Sequence, residues 1–119
     1  MKKEIVIGLI SVAGLATLPN LAFSFGVRKQ MIIRDKGECV ECGKRFNDGW
    51  LLDCAHNDHD HSNPDYDNPN NGRVLCLDDH LKHHIKIGDK NGAYLIRKRI
   101  EETHGGRTRK WIAENIDNH

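Results

Sequence analysis

The sequence predicts a small α+β domain, and three observations carry that reading. Two short apolar stretches of strand composition, "GWLLDCAH" and "RVLCL", enclose a polar loop. Segments beyond them space their apolar residues as helices do. The 119-residue length suits one domain at most.

The first 25 residues stand apart. "MKKEIVIGLISVAGLATLPNLAFSF" opens on Lys2 and Lys3, then carries no charge from Ile5 to Phe25. A basic start, an apolar run to Leu18, Pro19-Asn20 and the small-residue site Ala22-x-Ser24 fit a secretory signal peptide, residues 1–24, cut after Ser24. The competing reading is a membrane anchor over residues 5–25, since ~20 apolar residues span a bilayer. A buried core helix is the third. The first reading makes the protein exported, periplasmic or secreted. The second tethers it to a membrane.

Beyond the leader, "GVRKQMIIRDKGE" places Val27, Met31 and Ile32 at helical spacing and breaks at Gly37. "CVECGKRF" sets Cys39 and Cys42 on a tight turn, with Gly43 as its permissive residue. The strand "GWLLDCAH" follows. Residues 57–72 are Asn, Asp, Ser, Pro and Gly, which favour turns and cannot fill a core. After "RVLCL", the stretch "DDHLKHHIKI" reads as a helix with acidic residues in its first turn, where the dipole favours them. Residues 88–92 break it. "AYLIRKRIEETH" is amphipathic, with Leu95, Ile96 and Ile100 on one side, and "TRKWIAENI" makes a last helix with Trp111 and Ile112 toward the core. So little apolar content in a small domain calls for a metal or disulfides.

Leu51 to His84 holds six of the chain's eight histidines, seven aspartates and two cysteines. His80 and His84 are four apart on the predicted helix, so both rings share a face and can reach one cation; His83 points elsewhere. The whole chain carries 18 basic and 17 acidic residues, but base concentrates in "RKRIEETHGGRTRK". Arg97, Lys98, Arg99, Arg107, Arg109 and Lys110 there can grip phosphates; the alternative is a solvated face offset by Glu101 and Glu102.

Strand, polar loop, strand and helix, with His56, Asn71 and His80 in that order, resemble the HNH endonuclease family and its ββα-metal (His-Me finger) core. The resemblance covers about Val27 to Ile87 and is most specific in "NNGRVLCLDDHLKHH". It implies an HNH core over residues 27–87 and a C-terminal helical extension over 88–119. The implied activity is metal-dependent hydrolysis of phosphodiester bonds in DNA, with a duplex as partner and no small-molecule cofactor.

In that frame His56 matches the general base, Asn71 the residue that holds loop and base in place, and His80 and His84 the helix ligands of one divalent ion, Mg, Mn, Ni or Zn. In some members the position of His80 is the middle motif residue instead. The family places Asp or His directly before the base as a ligand, and here that position is Ala55. Asp58 and His59 are the nearest replacements. A shifted register takes Asp58 and His59 themselves as the ligand–base pair, with His61 left as loop polarity. Family members also carry two Cys-x-x-Cys pairs on a structural zinc. Cys39 and Cys42 supply one pair; Cys76 and Asp79 stand where the second would be, with Cys54 as another fourth ligand. Disulfides or free thiols are the alternative in an exported chain. Loss of cleavage with retention of the fold, a zinc-stabilised nucleic-acid-binding module, is the alternative function.

Overall fold

The computed structural model describes residues 23–118. Nearly all of the leader, and with it the choice between signal peptide and anchor, lies outside those residues. Among them no helix is long and apolar enough to cross a membrane. The described residues are α+β, with a two-stranded sheet and four α-helices.

Helix α1, Phe25–Arg34, starts where Ser24 caps it, its hydroxyl accepting from the Val27 amide at 3.2 Å. Met31 is fully buried, with Val27 and Ile32 beside it. Positive φ at Lys36 and Gly37 turns the chain out of the helix. Arg34 then donates to the Pro69 and Gly72 carbonyls, and Asp35 accepts from the Val74 amide, fastening α1 to the second strand.

Phe23 precedes this helix and belongs to the core. It is 2% exposed, stacks on the His56 ring at 3.8 Å, and its carbonyl accepts from Arg28. A cut after Ser24 would remove both this core residue and the helix cap. The folded unit therefore begins no later than Phe23. Replacing Phe23 with alanine in the full chain is expected to cost about 3–5 kcal/mol, read by urea denaturation; an unchanged midpoint would show that the aromatic stack is dispensable.

Strands β1, Leu52–His56, and β2, Gly72–Cys76, pair antiparallel with Leu52 opposite Cys76 and His56 opposite Gly72. The expected first strand began at Gly49. Trp50 instead bridges to Arg107, so the ladder starts later. Successive side chains alternate between faces. Cys54 bonds the Arg28 carbonyl and His56 stacks on Phe23, so these two face α1. Asp53 reaches His80 and Arg99, which sets Asp53 and Ala55 on the opposite face. Arg73, opposite Ala55, lies on that second face too and reaches His83.

Helix α2, Leu77–Lys86, begins directly after β2 with the Cys76 sulfur as its cap, and packs against α3, Lys90–Glu102. Leu51, Leu77 and Ile96 form the contact, with Leu81 and Ile100 at its edge. Two expectations need adjustment here. Gly92 lies inside α3, because Asp89 caps the helix through the Gly92 amide at 3.0 Å. Leu95 is 42% exposed, and Ala93 takes the inward place beside Ile96. Helix α4, Arg109–Ile112, is one turn long and continues as a wider turn over Ala113–Asp117.

Candidate metal centres and the histidine cluster

Cys39, Cys42, Cys76 and Asp79 bring their ligand atoms within 4.8 Å of one another. Among the described residues no other set of three or more His, Cys, Asp or Glu side chains converges so closely. The local turn explains it. The Gly43 amide bonds the Cys39 carbonyl with Gly43 at φ 80°, and the Val40 amide bonds the Val74 carbonyl, which lays the turn against β2. Cys76 ends that strand and Asp79 sits in the first turn of α2.

The donor set suits zinc. Two thiolates about 2.3 Å from a tetrahedral ion lie about 3.8 Å apart, and the Cys42 and Cys76 sulfurs are 3.7 Å apart. Asp79 Oδ2 accepts from Cys39 at 3.1 Å and Cys76 at 3.4 Å, in the fourth position. Burial pushes the Cys76 thiol well up, and Cys42 also rises through burial. Metal binding must therefore release protons here. Cys54 lies apart on the α1 side of β1, its thiol raised to about 12 by burial and the Asp53 charge.

The second centre is histidine-rich. His80 and His84 are both buried, and their Nε2 atoms lie 3.1 Å apart. Two imidazoles on one ion at 2.0–2.1 Å place their nitrogens about 2.9 Å apart in octahedral and about 3.3 Å in tetrahedral geometry. Each ring's other nitrogen is held by a carboxylate: His80 Nδ1 by Asp53 at 2.7 Å and His84 Nδ1 by Asp89 at 2.9 Å. Carboxylate support of this kind fixes ring orientation at metal sites. Asp53 is in turn held by Arg99 at 2.9 Å. Burial alone would raise the Asp53 carboxyl, but the Arg99 charge and the His80 bond hold it at about 2. A side chain at Gly92 would meet both the Asp89 carboxylate and the His84 ring at 2.5 Å, so the pair needs a glycine there.

The loop histidines divide. His56 is 6% exposed, sandwiched between Phe23 and Tyr66 with ring centroids 3.8 and 4.0 Å away, and its Nε2 meets Asp67 at 3.0 Å. It faces α1, away from the face that carries His80. His59 turns toward α2 instead: its Nε2 lies 2.7 Å from His83 Nε2, and its ring centroid is 5.6 Å from that of His84. His83, expected to point elsewhere, thus joins the cluster. His61 leans on Tyr66 at the exposed edge.

Asn71 clamps the loop. Its side chain accepts from the Asp58 amide at 2.9 Å and donates to the Asp58 and Tyr66 carbonyls. The Asp58 carboxylate is spent on the Asp60 amide and Asn63, and the structure does not bring it into a ligand cluster. Of the basic residues, Arg97, Lys98, Arg109 and Lys110 are exposed. Arg107 is held between Trp50 and Trp111, 3.8 Å from each ring centroid, and Arg99 is turned inward to Asp53. Asp53, Asp89 and Arg99 are the contributors that the sequence pattern did not single out for the site. A charged residue inside an otherwise apolar strand was the one available signal.

Burial lowers His56, His59 and His84, and burial with the Arg73 charge takes His83 down to about 4. All four are neutral in the fold at pH 7. Below the ordinary histidine value of 6.5 the unfolded chain takes up protons that the folded chain refuses. Stability is therefore expected to fall as pH drops from about 6.5 to about 4. Denaturant midpoints across that window check this, and a flat profile would contradict it.

Comparison of the chain with protein-family models, with curated proteins and with solved structures finds no match.

Proposed function

We propose that the chain is a metal-dependent HNH-type endonuclease acting on DNA. One observation carries the proposal: two buried imidazole nitrogens 3.1 Å apart, each ring backed by its own carboxylate. The order of strand, loop, strand and helix around them supports it. In this reading His80 and His84 hold one divalent ion. Imidazole donors suit Zn and Ni better than Mg or Mn. A divalent ion there supplies charge to the scissile phosphate and its leaving oxygen.

The general base is His59 in this reading. It stands on the α2 side of the sheet, is neutral at pH 7, and follows the residue that Asn71 clamps. It takes a proton from the attacking water. Spacing to Asn71 favours His56, but alternation along β1 turns that ring toward α1. Cys39, Cys42, Cys76 and Asp79 hold a structural zinc. Arg97, Lys98, Arg109 and Lys110 offer exposed charge for backbone phosphates. The leader makes the protein exported, with the cut before Phe23.

Ala55 favours a second reading, a zinc-stabilised nucleic-acid-binding module without cleavage, because among the described residues no third protein ligand joins the His80–His84 pair. Nicking of supercoiled plasmid, with chelator and with metal added back, separates the two. Nicking that chelation stops and metal restores, and that His80→Ala removes, supports the nuclease. Salt-dependent binding with no nicking selects the module.

A further inference from the structure

We propose that Arg73 and His83 form a positioning pair that sets the tautomer and orientation of His59; its catalytic meaning rests on His59 being the base. Arg73 Nη2 lies 3.3 Å from His83 Nδ1. A guanidinium has donors only. His83 Nδ1 therefore accepts, and the neutral His83 ring carries its proton on Nε2. That Nε2 is 2.7 Å from His59 Nε2, a distance that needs one proton between the two nitrogens. His83 supplies it. His59 Nε2 then accepts, and the neutral His59 ring carries its own proton on Nδ1.

The direction of this chain comes from its one member that cannot accept. Arg73 is itself held by the Asn57 side chain, with Glu41 3.9 Å away. A metal ion shared by His59 and His83 fits less well. Metal on His83 Nε2 would place that ring's proton on Nδ1, where it would face a guanidinium donor. The pair instead keeps the His59 Nε2 lone pair on the α2 side, where His84 lies, and His83 gives way there to the attacking water.

Long-range proton–nitrogen correlation spectra of the full, metal-free chain near pH 7.5 test this. His83 is expected as the Nε2–H tautomer and His59 as the Nδ1–H tautomer. Arg73→Met should cost His83 its single tautomer, and Arg73→Lys, which keeps a donor, should retain it. In plasmid nicking, His83→Phe should lower kcat about tenfold or more and leave the metal concentration for half-maximal rate unchanged. His83 found as Nδ1–H, or His59 as Nε2–H, overturns the proposal, as does a His83→Phe kcat within twofold of wild type. Absence of nicking alongside the expected tautomers overturns the nuclease reading alone and leaves the pair supported.

Discussion

Replacement of His59 by alanine is expected to slow plasmid nicking by about 10²–10⁴-fold, the usual contribution of a positioned base. Metal binding at His80 and His84 should survive, because both rings keep their carboxylates, Asp53 and Asp89. His56→Ala should behave differently. It empties the space between Phe23 and Tyr66 and so lowers stability, while the chemical step in the folded fraction continues. Single-turnover rates, with stability measured alongside, separate the two effects. A dead His56 variant beside an active His59 variant would return the base to the strand end. That outcome requires the His56 ring to leave its aromatic sandwich when DNA binds.

Cys76→Ser is expected to lower stability and zinc content together. It removes one of three sulfurs from the candidate zinc centre, while the serine hydroxyl can still cap α2. Binding free energy at a structural zinc is folding free energy. A loss of even about 2–3 kcal/mol moves the Tm of a domain this size by roughly 10–20 °C. Metal analysis should show zinc in the wild type and loss of it in the variant, and thermal unfolding should show the drop. Zinc-free wild-type protein with Cys42 joined to Cys76 in a disulfide would instead favour the oxidised alternative. Their sulfurs, 3.7 Å apart, permit that chemistry once metal is gone.

Much of this architecture was legible in local signals. Strand composition, the polar loop and the i, i+4 histidines placed β1, β2 and α2 within a residue or a few. The convergence of Cys39, Cys42, Cys76 and Asp79 was anticipated through the resemblance; Cys39 and Cys42 share one tight turn, and Cys76 and Asp79 sit at the junction of β2 and α2. Long-range pairing was not legible. Arg99 reads as one of several basic residues on an amphipathic helix, and only the packing of α3 beside α2 brings it to Asp53. Phe23 reads as the end of an apolar leader, although it is a core residue against His56. Period-two alternation sets His56 out of phase with Asp53 along β1, which puts its ring on the α1 side against Phe23.

The most direct test of the account is the rate of plasmid nicking as a function of Ni²⁺ concentration, for the wild type and for His84→Ala. If the paired imidazoles hold the ion that drives cleavage, removing one should raise the half-maximal metal concentration by about tenfold to a hundredfold or more. Saturating metal should restore part of the rate. Superimposable curves, or wild-type nicking that persists in excess chelator, would contradict a metal centre at His80 and His84.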